Sequence, residues 1–90
     1  MRSKRRTNDL IASQILKICR HGASKTRIVY QANMNFKTVK PYLDTLIKNG
    51  CIEAVNEASR VVYKTTPKGL DLIERFEMFQ SEISKLYGYA

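Results

Sequence analysis

Lys37, Thr38, Lys40, Thr45 and Lys48 all fall within the stretch NFKTVKPYLDTLIKNG, together with Phe36, Val39, Leu43, Leu46 and Ile47. At helical spacing the five apolar residues share one face, and the ammonium and hydroxyl groups point elsewhere. Such a surface can neutralise phosphates and reach toward base edges. A second set of the same chemistry precedes it. Ser24 is placed to cap a short helix, KTRIVYQA, with Lys25 and Arg27 in its first turn. Cations at a helix start oppose the helix dipole, yet exposed amide N–H groups with added bases are well suited to hold a phosphate. Lys37 and Lys40 repeat this violation in the following helix, whereas the last helix obeys the ordinary rule with Asp71 and Glu74 early and Lys85 late.

The charge is distributed to match. The 90 residues carry 16 Lys and Arg against 8 Asp and Glu, a formal +8. Residues 1–30 contribute +7, residues 31–70 +3 and residues 71–90 −2. The first two-thirds is therefore suited to a polyanion and the final helix to something else. No segment combines a basic face with exposed Trp, Phe and Leu, which disfavours a membrane surface. Apolar runs are only a few residues long and Met1 leads directly into bases, so neither a membrane span nor a signal segment is expected, and a cytoplasmic, nucleoid-associated location is.

Catalytic chemistry is not indicated. There is no glycine-rich phosphate loop, nucleophile elbow or His-Cys pairing, and Gly22, Gly50, Gly69 and Gly88 read as helix punctuation or tail. Cys19, Cys51 and His21 match no zinc spacing, so no metal or other cofactor is expected. Both cysteines fall at apolar positions, as buried thiols, and His21 sits at a helix end where a cation is favoured. Tyr30, Tyr42 and Tyr63 are interleaved with bases, an arrangement that could stack single-stranded bases. Tyr42 and Tyr63 lie in apolar-periodic elements, however, which favours packing at the core or its rim.

The elements that must position these groups follow in order. MRSKRR, with Arg2, Lys4, Arg5 and Arg6 and no apolar anchor, is expected to be a flexible arm over residues 1–6. Thr7 opens an amphipathic helix marked by Leu10, Ile11, Ile15, Leu16, Ile18 and Cys19, stopping at Gly22. The KTRIVYQA helix, a tight turn over Asn33, Met34 and Asn35, and the helix to Gly50 come next. Two β-type runs, CIEAV and RVVYKT, are joined by Asn56, Glu57, Ala58 and Ser59 as a hairpin, the second run bringing Arg60 and Lys64. Thr66 caps a closing helix with Pro67 at its first position. Helix, turn, helix, hairpin and helix in this succession predict a winged helix-turn-helix over residues 7–69, mainly α, with a C-terminal dimerisation helix over residues 70–90. In that helix Leu72, Phe76, Phe79, Ile83 and Leu86 are spaced four, three, four and three apart, a heptad seam whose exposed apolar face a homodimer would cover, the rival reading being that the helix folds back over the first one. Leu70 and Ile73 lie off the seam and are expected to pack on the domain.

The run KTRIVYQANMNF over residues 25–36, followed by Tyr42, Leu43, Leu46, Gly50 and Ile52, then Tyr63, Thr66, Lys68 and Gly69, resembles the archaeal winged-helix proteins related to the small ten-kilodalton DNA-binding protein of thermoacidophile chromatin. The similarity covers about Asp9 to Phe79. It implies an elongated homodimer in which the C-terminal helices pair as an antiparallel coiled coil, and binding of double-stranded DNA with little or modest sequence preference, in chromatin organisation or transcription. This chain departs from the family in a shorter closing helix, in Pro41 within the third helix, where a backbone donor is lost, and in its basic arm. The resulting expectation is a dimeric module binding duplex DNA without a small-molecule effector. Lys37, Thr38, Lys40, Thr45 and Lys48 would lie in the major groove. Ser24, Lys25, Arg27, Arg60 and Lys64 would hold phosphates, and the arm would add further contacts. A sequence-specific regulator of the same fold and a protein-interaction domain with an acidic partner are the rival readings.

Overall fold

A computed structural model describes residues 3–88, with side chains from residue 8. Its elements run α1 (Ser3–Ile18), α2 (Lys25–Ala32), α3 (Phe36–Lys48), β1 (Ile52–Glu57), β2 (Arg60–Thr65) and α4 (Pro67–Tyr87). This is the expected winged helix-turn-helix order, mainly helical, with a long C-terminal helix.

Local chemistry sets most boundaries. Ser24 accepts a hydrogen bond from Arg27 N–H at 3.2 Å and Asn35 one from Thr38 N–H at 2.9 Å, so α2 and α3 each start on a side-chain cap. Asn33 ends α2 in the left-handed region (φ 57°), which an asparagine tolerates better than most residues. Thr66 caps α4 through Gly69 N–H at 3.2 Å and donates its own hydroxyl proton to Gly50 O at 2.6 Å, joining the start of α4 to the end of α3. Pro41 leaves α3 unbroken.

The core gathers Ile15, Leu16 and Cys19 of the first helix and its end, Ile28 of α2, Val39, Leu43 and Leu46 of α3, Cys51 and Ile52 at the start of the wing, and Ile73 of α4. Each large aliphatic side chain buried there contributes about 1.5–3 kcal/mol. Burial pushes the Cys19 thiol up to about 12, so it remains protonated and acts as a small hydrophobe, as its place in the apolar stripe implied. The antiparallel wing pairs Ile52 with Thr65 and Glu57 with Arg60. It is fastened to the helices by reciprocal backbone bonds between Ala23 and Tyr63 of 2.9 and 2.8 Å, and by the Thr65 hydroxyl, which donates to Leu16 O at 2.6 Å.

Four expectations are corrected. The first helix begins at Ser3, not Thr7, so Ser3 to Arg6 of the anticipated flexible arm form its first turn. Lys and Arg are good helix formers, and the extension of an existing helix needs no apolar anchor. The wing strands reach Glu57 and resume at Arg60, which shortens the four-residue loop to Ala58 and Ser59, with Ala58 at φ 58°. Leu70 does not enter the core; it is 41% exposed, while Ile73 is buried. Gly69 is not punctuation. It lies within the first turn of α4, where a Cβ would collide with the carbonyl oxygen of Cys51 and come within 2.6 Å of Thr65 Cγ2. Only a residue without a side chain lets α4 approach the wing this closely.

Helix α4 then runs along α1, where Lys17 Nζ meets a Glu77 carboxylate oxygen at 2.8 Å. The Lys17 ammonium holds the Glu77 carboxyl below the usual carboxylate range.

Candidate nucleic-acid interface

The packing of α3 decides which of its side chains face outward. Val39, Leu43 and Leu46 are buried, with Phe36, Tyr42 and Ile47 half-buried beside them. Lys37, Thr38, Lys40, Thr45 and Lys48 are all exposed, so the one helix presents every residue assigned to it as a contact. Two of them carry internal partners. The Thr45 hydroxyl donates to Pro41 O at 2.9 Å, and Lys40 Nζ lies 2.7 Å from an Asp44 carboxylate oxygen. The Asp44 hydrogen bond, and then its charge, raise the Lys40 pKa above the ordinary lysine value.

The helix-turn-helix brings the other group alongside. Lys25 Nζ sits 4.4 Å from the centre of the Phe36 ring, which places the first turn of α2 against the first residue of α3. Ser24, Lys25 and Arg27 thus join Lys37 and Thr38 at two neighbouring helix starts, where first-turn N–H groups have no acceptor within the helix. Neither helix has an acid in its first turn.

The wing is different. Arg60 and Lys64 are exposed, but the register sets Glu57 opposite Arg60 and Glu53 opposite Lys64. The hairpin is therefore close to neutral, which lowers its expected hold on phosphate relative to the helix starts. Arg2, together with the side chains of Lys4, Arg5 and Arg6, lies outside the described residues.

Asp44 is a functional candidate that the sequence reading did not name. Its position, one turn from Lys40 on the face opposite the buried residues, was the available signal. Of the tyrosines, Tyr30 is 82% exposed on α2. Tyr63 packs half-buried against the core, and Tyr42, also half-buried, donates its hydroxyl proton to Asn8 Oδ1 at 2.6 Å. This agrees with rim packing for both.

The architecture and residue pattern coincide with those of a known family: residues 5–84 match the winged helix-turn-helix family. The chain belongs to that family. A crystal structure of Sso10a-2, a DNA-binding protein from Sulfolobus solfataricus, superposes on this winged helix with a TM-score of 0.78. The two are 33% identical, over 91% of this chain and 85% of that one. Two uncharacterised proteins of Methanocaldococcus jannaschii are also similar. MJ0287 is 32% identical over 82 residues, covering 90% of this chain and 84% of its own length. MJ0290 is 36% identical over 76 residues, but the winged helix spans only 34% of that longer protein. The archaeal resemblance drawn from residues 25–69 therefore stands.

The seam residues assigned to a dimer all lie on α4, partly against α1. Leu72, Phe76 and Phe79 line a groove of about 350 Å³ between α4 and α1, with Ala12, Ser13 and Leu16 on the other wall. The Ser13 hydroxyl is buried without a hydrogen-bond partner. Phe79 is 64% and Leu86 74% exposed, and Ile83 is half-buried. Among the described residues no helix is long and apolar enough to cross a membrane.

Proposed function

We propose that this winged helix binds double-stranded DNA as a homodimer, with weak sequence specificity, in chromatin organisation or transcription regulation in the cytoplasm. In this reading α3 enters the major groove, the starts of α2 and α3 grip phosphates with Ser24, Lys25, Arg27, Lys37 and Thr38, and the wing and the basic N-terminal residues add contacts. The observation that carries it is the outward face of α3. Its lysines are exposed beside a second basic helix start, on a helix that packs Val39, Leu43 and Leu46 into the core. Family membership and the likeness to Sso10a-2, itself described as DNA-binding, support the same reading.

The absence of Arg and Gln from the exposed face of α3 leaves few bidentate readers of bases, which supports weak specificity. The homodimer rests on α4, whose Leu72, Phe76, Phe79, Ile83 and Leu86 form an apolar seam that the domain covers only in part, leaving Leu72, Phe79 and Leu86 exposed. Pairing of that seam would bury it and link two DNA-binding heads.

A binding isotherm on random-sequence duplex across salt concentrations tests the reading. Affinity should fall with a log-log slope of about −4 to −7, for roughly 5 to 8 phosphate contacts per bound unit. A slope near zero overturns it. If an acidic protein were the real partner, duplex binding would be weak and insensitive to loss of Lys25 and Lys37.

A further inference from the structure

Asp44 is the one acid in α3, and it occupies the middle of the surface that helix presents. At about 100° per residue, Lys37, Pro41, Asp44 and Lys48 fall within about 60° of arc, opposite Val39 and Leu46. A surface serving only to neutralise phosphate loses by placing a carboxylate there. Helix stability does not account for it either. A lysine four residues before an acid is the weaker of the two pair orientations, because both charges oppose the helix dipole.

The geometry of the pair offers another reason. Lys40 Nζ and the Asp44 carboxylate oxygen are 2.7 Å apart, both exposed, presenting a donor and an acceptor side by side. The major-groove edge of a base pair presents the complementary arrangement, since its exocyclic donor and acceptor are joined by a Watson–Crick bond of about 2.9 Å. We infer that Lys40 and Asp44 act together as a reader of G·C base pairs, Lys40 donating to guanine O6 and Asp44 accepting from cytosine N4. The ion pair need not open, so neither charge is left without its partner in the groove.

The preference for G·C over A·T follows from what flanks each group. Beside guanine O6 lies N7, a second acceptor for the ammonium, and beside cytosine N4 lies only a C–H. In A·T the donor is adenine N6, next to the N7 lone pair that repels a carboxylate, and the acceptor is thymine O4, next to the methyl group that crowds the lysine. This inference rests on the DNA-binding reading and adds a base preference to it.

The test uses the full chain and fluorescein-labelled duplexes of equal length at one salt concentration: G·C-rich, A·T-rich without A-tracts, and one with inosine·cytosine pairs. Inosine·cytosine keeps the major-groove edge of G·C but the minor-groove face of A·T. The wild type should bind the G·C and inosine·cytosine duplexes about fivefold or more tighter than the A·T duplex. Asp44→Ala should bring the ratio close to one while tightening A·T binding, because Lys40 is released to the phosphates. Asp44→Asn should move the preference toward A·T, since an asparagine amide matches adenine N6 and N7. Both positions are exposed, and circular dichroism of each variant checks the fold. Equal wild-type affinity for all three duplexes overturns the inference, as does an unchanged ratio in Asp44→Ala or inosine·cytosine binding that follows A·T. Wild-type protein that binds none of them overturns the DNA reading itself.

Discussion

Helices α3 and α4 are both amphipathic, but they use their apolar faces differently. Helix α3 buries Val39, Leu43 and Leu46, and what remains outside is polar and mostly basic. Helix α4 buries only Gly69 and Ile73 and leaves Leu72, Met78, Phe79, Leu86 and Tyr87 exposed over its 21 residues. An element whose apolar face is satisfied within the chain can devote its other face to a charged ligand. One whose apolar face is left over retains a hydrophobic driving force for a second surface. In the proposed reading the two helices divide the tasks of binding DNA and pairing chains, and substitutions in one should leave the task of the other largely intact.

The largest test of that division is the pair Phe79→Glu and Ile83→Glu. Charges in the middle of a seam this short should give soluble monomers in analytical ultracentrifugation at tens of micromolar. Affinity for a duplex long enough to hold both heads should fall about a hundredfold as the second head loses its effective concentration. The circular dichroism spectrum should be unchanged, because Ile73 still anchors α4. A wild type that is already monomeric under those conditions would remove the dimer. A dimer that survives both changes would put its interface elsewhere.

Gly69→Ala attacks the anchoring of α4 instead of its free face. The new Cβ has to displace the backbone at Cys51 or the Thr65 side chain, itself bonded to Leu16 O. Overpacking of this kind costs about 1–3 kcal/mol, and each kcal/mol lowers the melting temperature of a domain this size by roughly 4–8 °C. An unchanged melting temperature would mean that α4 does not approach the wing as closely as described. Thr65→Val sharpens the result by leaving the Leu16 carbonyl without its buried donor, at a cost of about 1–3 kcal/mol.

On the other side of the comparison, Lys25→Ala and Lys37→Ala should each weaken all duplex sequences about equally and reduce the salt slope by about 1. Lys48→Ala, nearer the middle of α3, should alter sequence preference as well. Arg60→Ala and Lys64→Ala should have smaller effects than Lys25→Ala, because each wing base faces a glutamate across the hairpin. Wing effects as large as those at the helix starts would show that the register pairs do not screen these side chains.

How much of this was legible in the sequence depends on whether a feature is local. The caps at Ser24 and Thr66, the buried stripe of α3 and the pairing of two β-type runs follow from near neighbours in the chain, and the structure has all of them. Gly69 could not be interpreted that way, since its requirement is set by a carbonyl eighteen residues earlier that only the tertiary fold brings near. Leu70 and Ile73 looked equivalent until the docking of α4 turned one outward. Ser3 to Arg6 were misread because the absence of apolar residues argues against packing, and packing is not needed to lengthen a helix already anchored further on. Asp44 was overlooked for a chemical reason: its meaning depends on which face of α3 the core leaves free.

The smallest effect belongs to neither helix and supplies the reference for both. Ala58 is the first of the two residues that close the wing, and it holds φ at 58°. For a residue with a Cβ the left-handed region costs roughly 1–2 kcal/mol, and glycine avoids that cost while giving back part of it through the greater freedom of the unfolded chain. Ala58→Gly should therefore stabilise the domain by a net of about 0.5–1 kcal/mol, read as a rise of a few degrees in melting temperature. Ala58 is exposed and carries no charge, so the sedimentation behaviour and the salt slope of DNA binding should stay at their wild-type values. A fall in melting temperature would show that the wing closes with a different turn. A changed salt slope at constant fold would mean that the wing tip takes a larger part in holding DNA than its balanced charges suggest.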